Sequence, residues 1–153
     1  MSDFFSYTGR STPEQVQAAA PRAILGDLSG DEWEKFIAHT ARRRYPAGAT
    51  IVQAGDLEAA LCFIASGRVE VQSITGARMP RGEGEVFGLL SFLDGAPSEV
   101  TVRAMADAPV ELLRVTPENL QQLAAWQPRI AVLLLRDLGA HTANRLRRLQ
   151  PGD

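Results

Sequence analysis

Cysteine, histidine and lysine are scarce in this chain. Cys62 is the single cysteine among 153 residues, so no intrachain disulfide can form and thiolates are too few for a zinc or iron–sulfur site. A buried strand thiol is its plain role. The two histidines, His39 and His141, fall in stretches that read as helix. A set of histidines and a carboxylate converging in a barrel cannot be built from them, nor can a Ser-His-Asp arrangement on strand ends. The chain has no G-x-x-x-x-G-K-[ST] loop, and Gly82–Glu85 is a glycine-rich stretch without the strand–helix setting of a dinucleotide fingerprint. Catalysis is therefore not expected, and neither is a metal or other cofactor, with haem ligation by His141 or Cys62 as the alternative. No apolar run is long enough to span a bilayer, and the N-terminus has no basic segment ahead of an apolar one. A cytoplasmic protein without membrane contact is expected. Lys35 is the only lysine, so the basic side chains are nearly all arginine, and the formal net charge is -2. Nothing in that balance argues for nucleic acid.

What is present is ordered in three blocks. Residues 1–22 hold an aromatic tail (Phe4, Phe5, Tyr7) and a short helix capped by Thr12 with Pro13 at its first position. A second helix starts behind Ser29, with Glu32 as its capping-box partner and Trp33, Phe36 and Ile37 on one stripe. It should fade through Arg42–Arg44 and end before Pro46. From Ala47 to about Val115 the runs are short, β-branched or alternating, separated by glycine-rich breaks, which predicts a sandwich or barrel. Gly67 should take a positive φ in a tight turn. Thr116 and Pro117 open another helix to about Trp126, and a long one follows over about 129–149. Its stripe includes Leu134, Leu135, Leu138, Thr142, Leu146 and Leu149, and it exceeds what a small β domain can cover. Part of it is expected to pair with a second copy, against the alternative that its first half folds back on the barrel.

Between Phe87 and Ala104 the sequence reads FGLLSFLDGAPSEVTVRA. A capped helix, YPAGATIVQAGD, ALCFIASGRVEVQ, GEGEVFG, this stretch, VELLRVTPENLQQL and a long final helix follow one another. In that order the chain resembles the cyclic-nucleotide-binding domain, the sensor half of the catabolite-activator and fumarate-nitrate-regulator family, over roughly Leu25 to Leu149. The resemblance implies a mainly β fold with flanking helices: a double-stranded β-helix, jelly-roll-like, with N-terminal helices and a long C-terminal helix that commonly builds a dimer. The domain would occupy 23–153. Only four residues follow the long helix, so no DNA-binding domain and no direct DNA contact are expected.

The family's phosphate cassette runs approximately Phe-Gly-Glu-aliphatic-small-Leu-aliphatic, three residues, then Pro-Arg-small-small-Thr. Phe87, Gly88, Leu90, Ser91, Phe92, Leu93, Pro97, Val100 and Thr101 supply its frame. By this resemblance Leu89 stands where a Glu would hold the ribose hydroxyl, and Ser98 where an Arg would grip the cyclic phosphate. Glu99 replaces a small residue beside that phosphate. Losing the two charge-assisted contacts removes roughly 3–6 kcal/mol. An inward Glu99 at about 4 Å would add about 4 kcal/mol of repulsion at an effective dielectric near 20. The expectation is a regulatory module that does not bind cyclic AMP in the usual way. It would act through a partner protein, with the cassette kept as a structural corner, or sense another ligand, with Leu89 and Leu90 lining that site. The alternative is a working receptor for cyclic AMP, cyclic GMP or a cyclic dinucleotide, with charge supplied by Arg81, Arg103 or Arg145. Arg145 could instead pair with Glu99 or be solvated.

Overall fold

The computed structural model describes residues 24–57 and 59–149. The expected helix behind Thr12 lies outside the described residues. The first described helix, α1 (Gly30–Ile37), carries the reciprocal capping box of Ser29 and Glu32. It ends earlier than its sequence suggests. Ala41–Tyr45 is strand β1, paired antiparallel with β8 (Val110–Val115), so the Arg42–Arg44 run is sheet and not helix. The pairing outweighs the arginines' modest helix preference, and Arg42, Arg43 and Arg44 stay exposed on a charged edge.

The remaining strands are β2 (Thr50–Val52), β3 (Leu61–Ser66), β4 (Val69–Ser73), β5 (Arg78–Arg81), β6 (Val86–Phe87) and β7 (Val100–Ala104). They form two four-stranded antiparallel sheets with orders β1-β8-β3-β6 and β2-β7-β4-β5, a jelly roll. Short helix α2 (Leu89–Asp94) interrupts the β region, and α3 (Pro117–Trp126) and α4 (Pro128–Leu149) close the chain. Thr116 caps α3 in a second capping box, with Asn119 as its partner. The polar β5 and the two-residue β6 are not marked by the sequence pattern, and the register of β4 and β3 recruits them.

Strand β3 shows why its run is apolar on both faces. Cys62 and Ile64 point between the sheets, where they meet Val69, Phe87, Val102 and Leu112. Leu61 and Phe63 point the other way into a second cluster with Phe36, Leu113, Leu123, Leu134 and Leu138. Strand β8 divides its residues in the same way. Burial of Cys62 pushes its thiol up to about 12. Gly67 turns β3 into β4 with φ 86, and a Cβ there would lie 2.5 Å from the Pro109 carbonyl oxygen. The first half of α4 is tied down at two places. Arg129 pairs with Glu32 of α1. The amide of Leu25, itself at φ 60, donates to Asp137 Oδ2 at 2.8 Å.

Candidate functional site

The cassette region is built on β6. Pairing of Phe87 with Cys62 buries the phenyl ring between the sheets. Gly88 follows in the left-handed region with φ 81, and a Cβ there would lie 2.3 Å from the Ala60 carbonyl oxygen. Both facts demand glycine. The chain then winds into α2, whose Leu89 and Phe92 are buried and whose Leu90 and Leu93 are exposed. Leu89 is 5 % exposed and belongs to the same cluster as Leu134 and Leu138. Its side chain is therefore part of the core, as a structural corner requires. Leu90 is on the open side, and Ser91 is half-buried.

Beyond Gly95 and the exposed Pro97 the chain runs beside residues 54–56. The Gly55 amide donates to the Ser98 carbonyl at 2.8 Å, and the Ser98 amide donates to the Asp56 carbonyl at 2.8 Å. Asp56 Oδ2 accepts from the Gln53 amide at 2.9 Å, which braces this strap. The Ala54 amide donates to Thr101 Oγ1 at 3.1 Å, engaging the buried threonine. Ser98 Oγ donates to the Val100 carbonyl at 2.8 Å, closing on its own strand. Glu99 is exposed, so its carboxylate does not enter the core. Among the described residues no buried side-chain nitrogen or oxygen lacks a partner. The strap of Ala54–Asp56 reads in sequence only as a turn, and Asp56, five residues before the apolar strand that opens at Leu61, was its one available signal.

The supplementary arginines separate. Arg103 is exposed on the outward side of β7, and its Nε donates to Thr50 Oγ1 at 3.3 Å, so it does not face the roll's interior. This corrects its candidacy: Val102, on the opposite face of the strand, is the inward residue. Arg81 and Arg145 both act on the charge of His141. Partial burial lowers the His141 pKa, as do the charges of Arg145, Arg81 and Arg148, while Glu85 opposes them. No ion pair joins Arg145 to Glu99 among the described residues. An open cleft of about 430 Å³ lies elsewhere, lined by Gly67, Arg68, Gly82, Glu83, Asp107 and Ala108, and contains no cassette position.

Helix α4 carries two stripes where the sequence suggests one. Ala131, Leu134 and Leu138 are buried in the protomer's own core. Leu134 and Leu138 are therefore not interface residues, because the sheet and α3 already cover them. Val132, Leu135, Leu146 and Leu149 are exposed, and Thr142 is half-buried with its hydroxyl donating to the Leu138 carbonyl at 2.8 Å.

The cyclic nucleotide-binding domain family matches residues 42–125, more than half of the chain. The chain belongs to this family. A cyclic AMP receptor protein of Thermus thermophilus is 35% identical over 131 residues, which cover 81% of this chain and 57% of that protein. The crystal structure of Thermus thermophilus catabolite activator protein superimposes with a TM-score of 0.71 at 31% identity, covering 84% of this chain and 60% of the other. Glutaminase 2 of Bradyrhizobium diazoefficiens is 30% identical over 126 residues, 82% of this chain but 20% of that protein. The chain thus spans about half or less of the curated relatives it matches. In this member of the cyclic nucleotide-binding domain family, Gly88 stands in the left-handed region ahead of the short helix α2. No described helix is long and apolar enough to cross a membrane.

Proposed function

We propose that this domain is a non-catalytic regulatory module that does not hold cyclic AMP through its cassette. One observation carries the reading: Leu89, at the position of the family's ribose-binding Glu, is packed into the hydrophobic core. Ser98 adds to it, since its hydroxyl is bonded to Val100 and no guanidinium stands in its place. The module acts by pairing through α4 and by contact with a regulatory protein, or by sensing a ligand other than cyclic AMP. Pairing is supported by the outward stripe Val132, Leu135, Gly139, Thr142, Leu146 and Leu149. Its alternating steps of three and four are the spacing of a two-stranded seam, and Gly139 has no neighbouring atom within 4 Å of a Cβ position.

The second reading is a cyclic-nucleotide receptor with an altered pocket. The left-handed Gly88 and the similarity to a protein named cyclic AMP receptor favour it. Calorimetric titration of the folded dimer with cyclic AMP, cyclic GMP and cyclic di-GMP separates the two. The first reading expects no heat of cyclic AMP binding at micromolar concentrations. Micromolar cyclic AMP binding that is lost on Thr101→Val overturns it in favour of the second.

A further inference from the structure

Strand β1 is the outer strand of its sheet, in the order β1-β8-β3-β6. It pairs with β8 along its whole length without a register shift, from Ala41 opposite Arg114 to Tyr45 opposite Val110. The ladder fixes which backbone groups face outward. The Ile64 amide donates to the Glu85 carbonyl at 3.0 Å, and the Ile64 carbonyl accepts from the Gly84 amide at 3.0 Å. Ile64 thus turns to the β6 side, and Phe63 turns the other way to bond with Leu113 of β8. Leu113 directs its own groups to β3. Arg42, opposite Leu113 on the far side, therefore points its amide and carbonyl away from the sheet, and Arg44 does the same. Among the described residues, what engages these outward groups is Arg43 Nη1, which donates to the Arg42 carbonyl at 3.1 Å from an exposed side chain.

The side chains along this open edge are cationic. Arg42, Arg43 and Arg44 are all exposed, with Arg42 and Arg44 on the face of Leu113 and Arg43 on the face of Leu112. Arg44 Nη1 holds Glu111 at 3.1 Å, and Arg42 and Arg43 enter no ion pair among the described residues. The β1 of a second copy would set arginine opposite arginine, which opposes self-pairing. An extended chain with carboxylates at alternate positions meets the reverse condition. Its backbone completes the ladder at Arg42 and Arg44, and its acids fall opposite those side chains, within about 5.5 Å at Cβ. Guanidinium groups offer carboxylates paired N–H donors in a fixed plane. We propose that the free edge of β1 docks an extended acidic segment of a partner protein, which adds as a strand beside Arg42 and Arg44. This role rests on the reading that the module works through a regulatory protein, and it gives that partner its chemistry.

The probe is a fluorescein-labelled peptide of about eight residues alternating Glu and Thr. Its controls are the same peptide with Lys for Glu and the same peptide N-methylated at its Glu residues. Anisotropy titration should show binding of the acidic peptide that weakens as salt rises, and no binding of either control. Hydrogen exchange followed by NMR should slow about tenfold at the Arg42 and Arg44 amides when the peptide is bound. The Arg43 amide, already in the β8 ladder, should be unchanged. Arg42→Gln with Arg43→Gln should weaken binding about tenfold. Arg147→Gln with Arg148→Gln removes equal charge from α4 and should leave binding intact. The N-methylated peptide tests the backbone bonds on the unaltered protein, whatever the variants do to its stability. No peptide binding at about 1 mM overturns the proposal. Binding without protection of Arg42 and Arg44, or equal binding of the N-methylated peptide, overturns it too. A DNA duplex that displaces the peptide and slows neither amide would make the arginines a phosphate contact, and also overturns it. Micromolar cyclic AMP heat with the peptide still bound overturns the silent cassette and leaves this edge standing. Absence of both overturns the edge alone.

Discussion

Leu89 is a cassette residue that serves the core. A Glu there would be buried among Leu61, Phe63 and Leu138 without a cation, because Ser98 supplies none. Leu89→Ala should cost about 2–5 kcal/mol in urea unfolding, the range for a buried leucine. Leu89→Glu should cost more, since it adds an unpaired charge to the lost packing. If Leu89→Glu unfolds within about 1 kcal/mol of the parent, the side chain reaches solvent and the core assignment is wrong. Restoring the family's charges at 89, 98 and 99 together would thus weaken the fold before it created a ligand site. Cys62 yields a second test at this scale. Its raised pKa and burial keep the thiol protonated, so a thiol-specific reagent should modify it only as fast as the roll opens. Rapid labelling of the folded protein would contradict that.

Helix α4 could be read from sequence in existence, length and amphipathicity, but not in allocation. Leu134 and Leu138 share the spacing of Leu135, Leu146 and Leu149 closely enough that periodicity alone merges them. Burial separates them: Leu138 is 0% exposed in the single protomer, whereas Leu146 is 54% and Leu149 78%. The double variant Leu135→Arg and Leu146→Arg should halve the mass seen by light scattering and leave the far-UV spectrum intact. Leu138→Arg should instead lower the unfolding midpoint, because it places a cation in a filled core. A monomeric but equally stable Leu138→Arg would reverse these assignments. Strand β1 makes the complementary point. Its three arginines read as the tail of a helix, and only the presence of β8 alongside turns them into sheet. The pair Arg44–Glu111 at 3.1 Å is exposed and adds about 1 kcal/mol at most.

At the scale of the whole molecule, charge placement couples the helix to the roll through pH. His141 has a lowered pKa in the folded protein, caused by burial and then by Arg145, Arg81 and Arg148. The unfolded chain therefore binds more protons between that lowered value and about 6.5. The contribution to stability is fully present above about pH 6.5 and is lost as the pH falls through the lowered folded value. A plot of unfolding free energy against pH in chloride should slope downward on that acid side. His141→Gln should flatten that slope. An unchanged slope in His141→Gln would assign the acid sensitivity to other groups.

Local chemistry determined much of this protein without any knowledge of its neighbours. The caps at Ser29 and Thr116, the glycine turn at Gly67, the alternation of the strands and the cassette frame around Gly88 all depend on residues within one turn or one pleat. Composition likewise removed disulfides and cysteine-rich clusters before any fold was known. What the tertiary structure decided is which of two faces each residue serves. Leu89 joined the core, Leu138 went inward and Leu135 outward, Arg103 turned away from the roll, and Arg81 acts on the charge of His141 from sixty residues away. Those outcomes depend on partners distant in sequence, and a face has no identity until something packs against it.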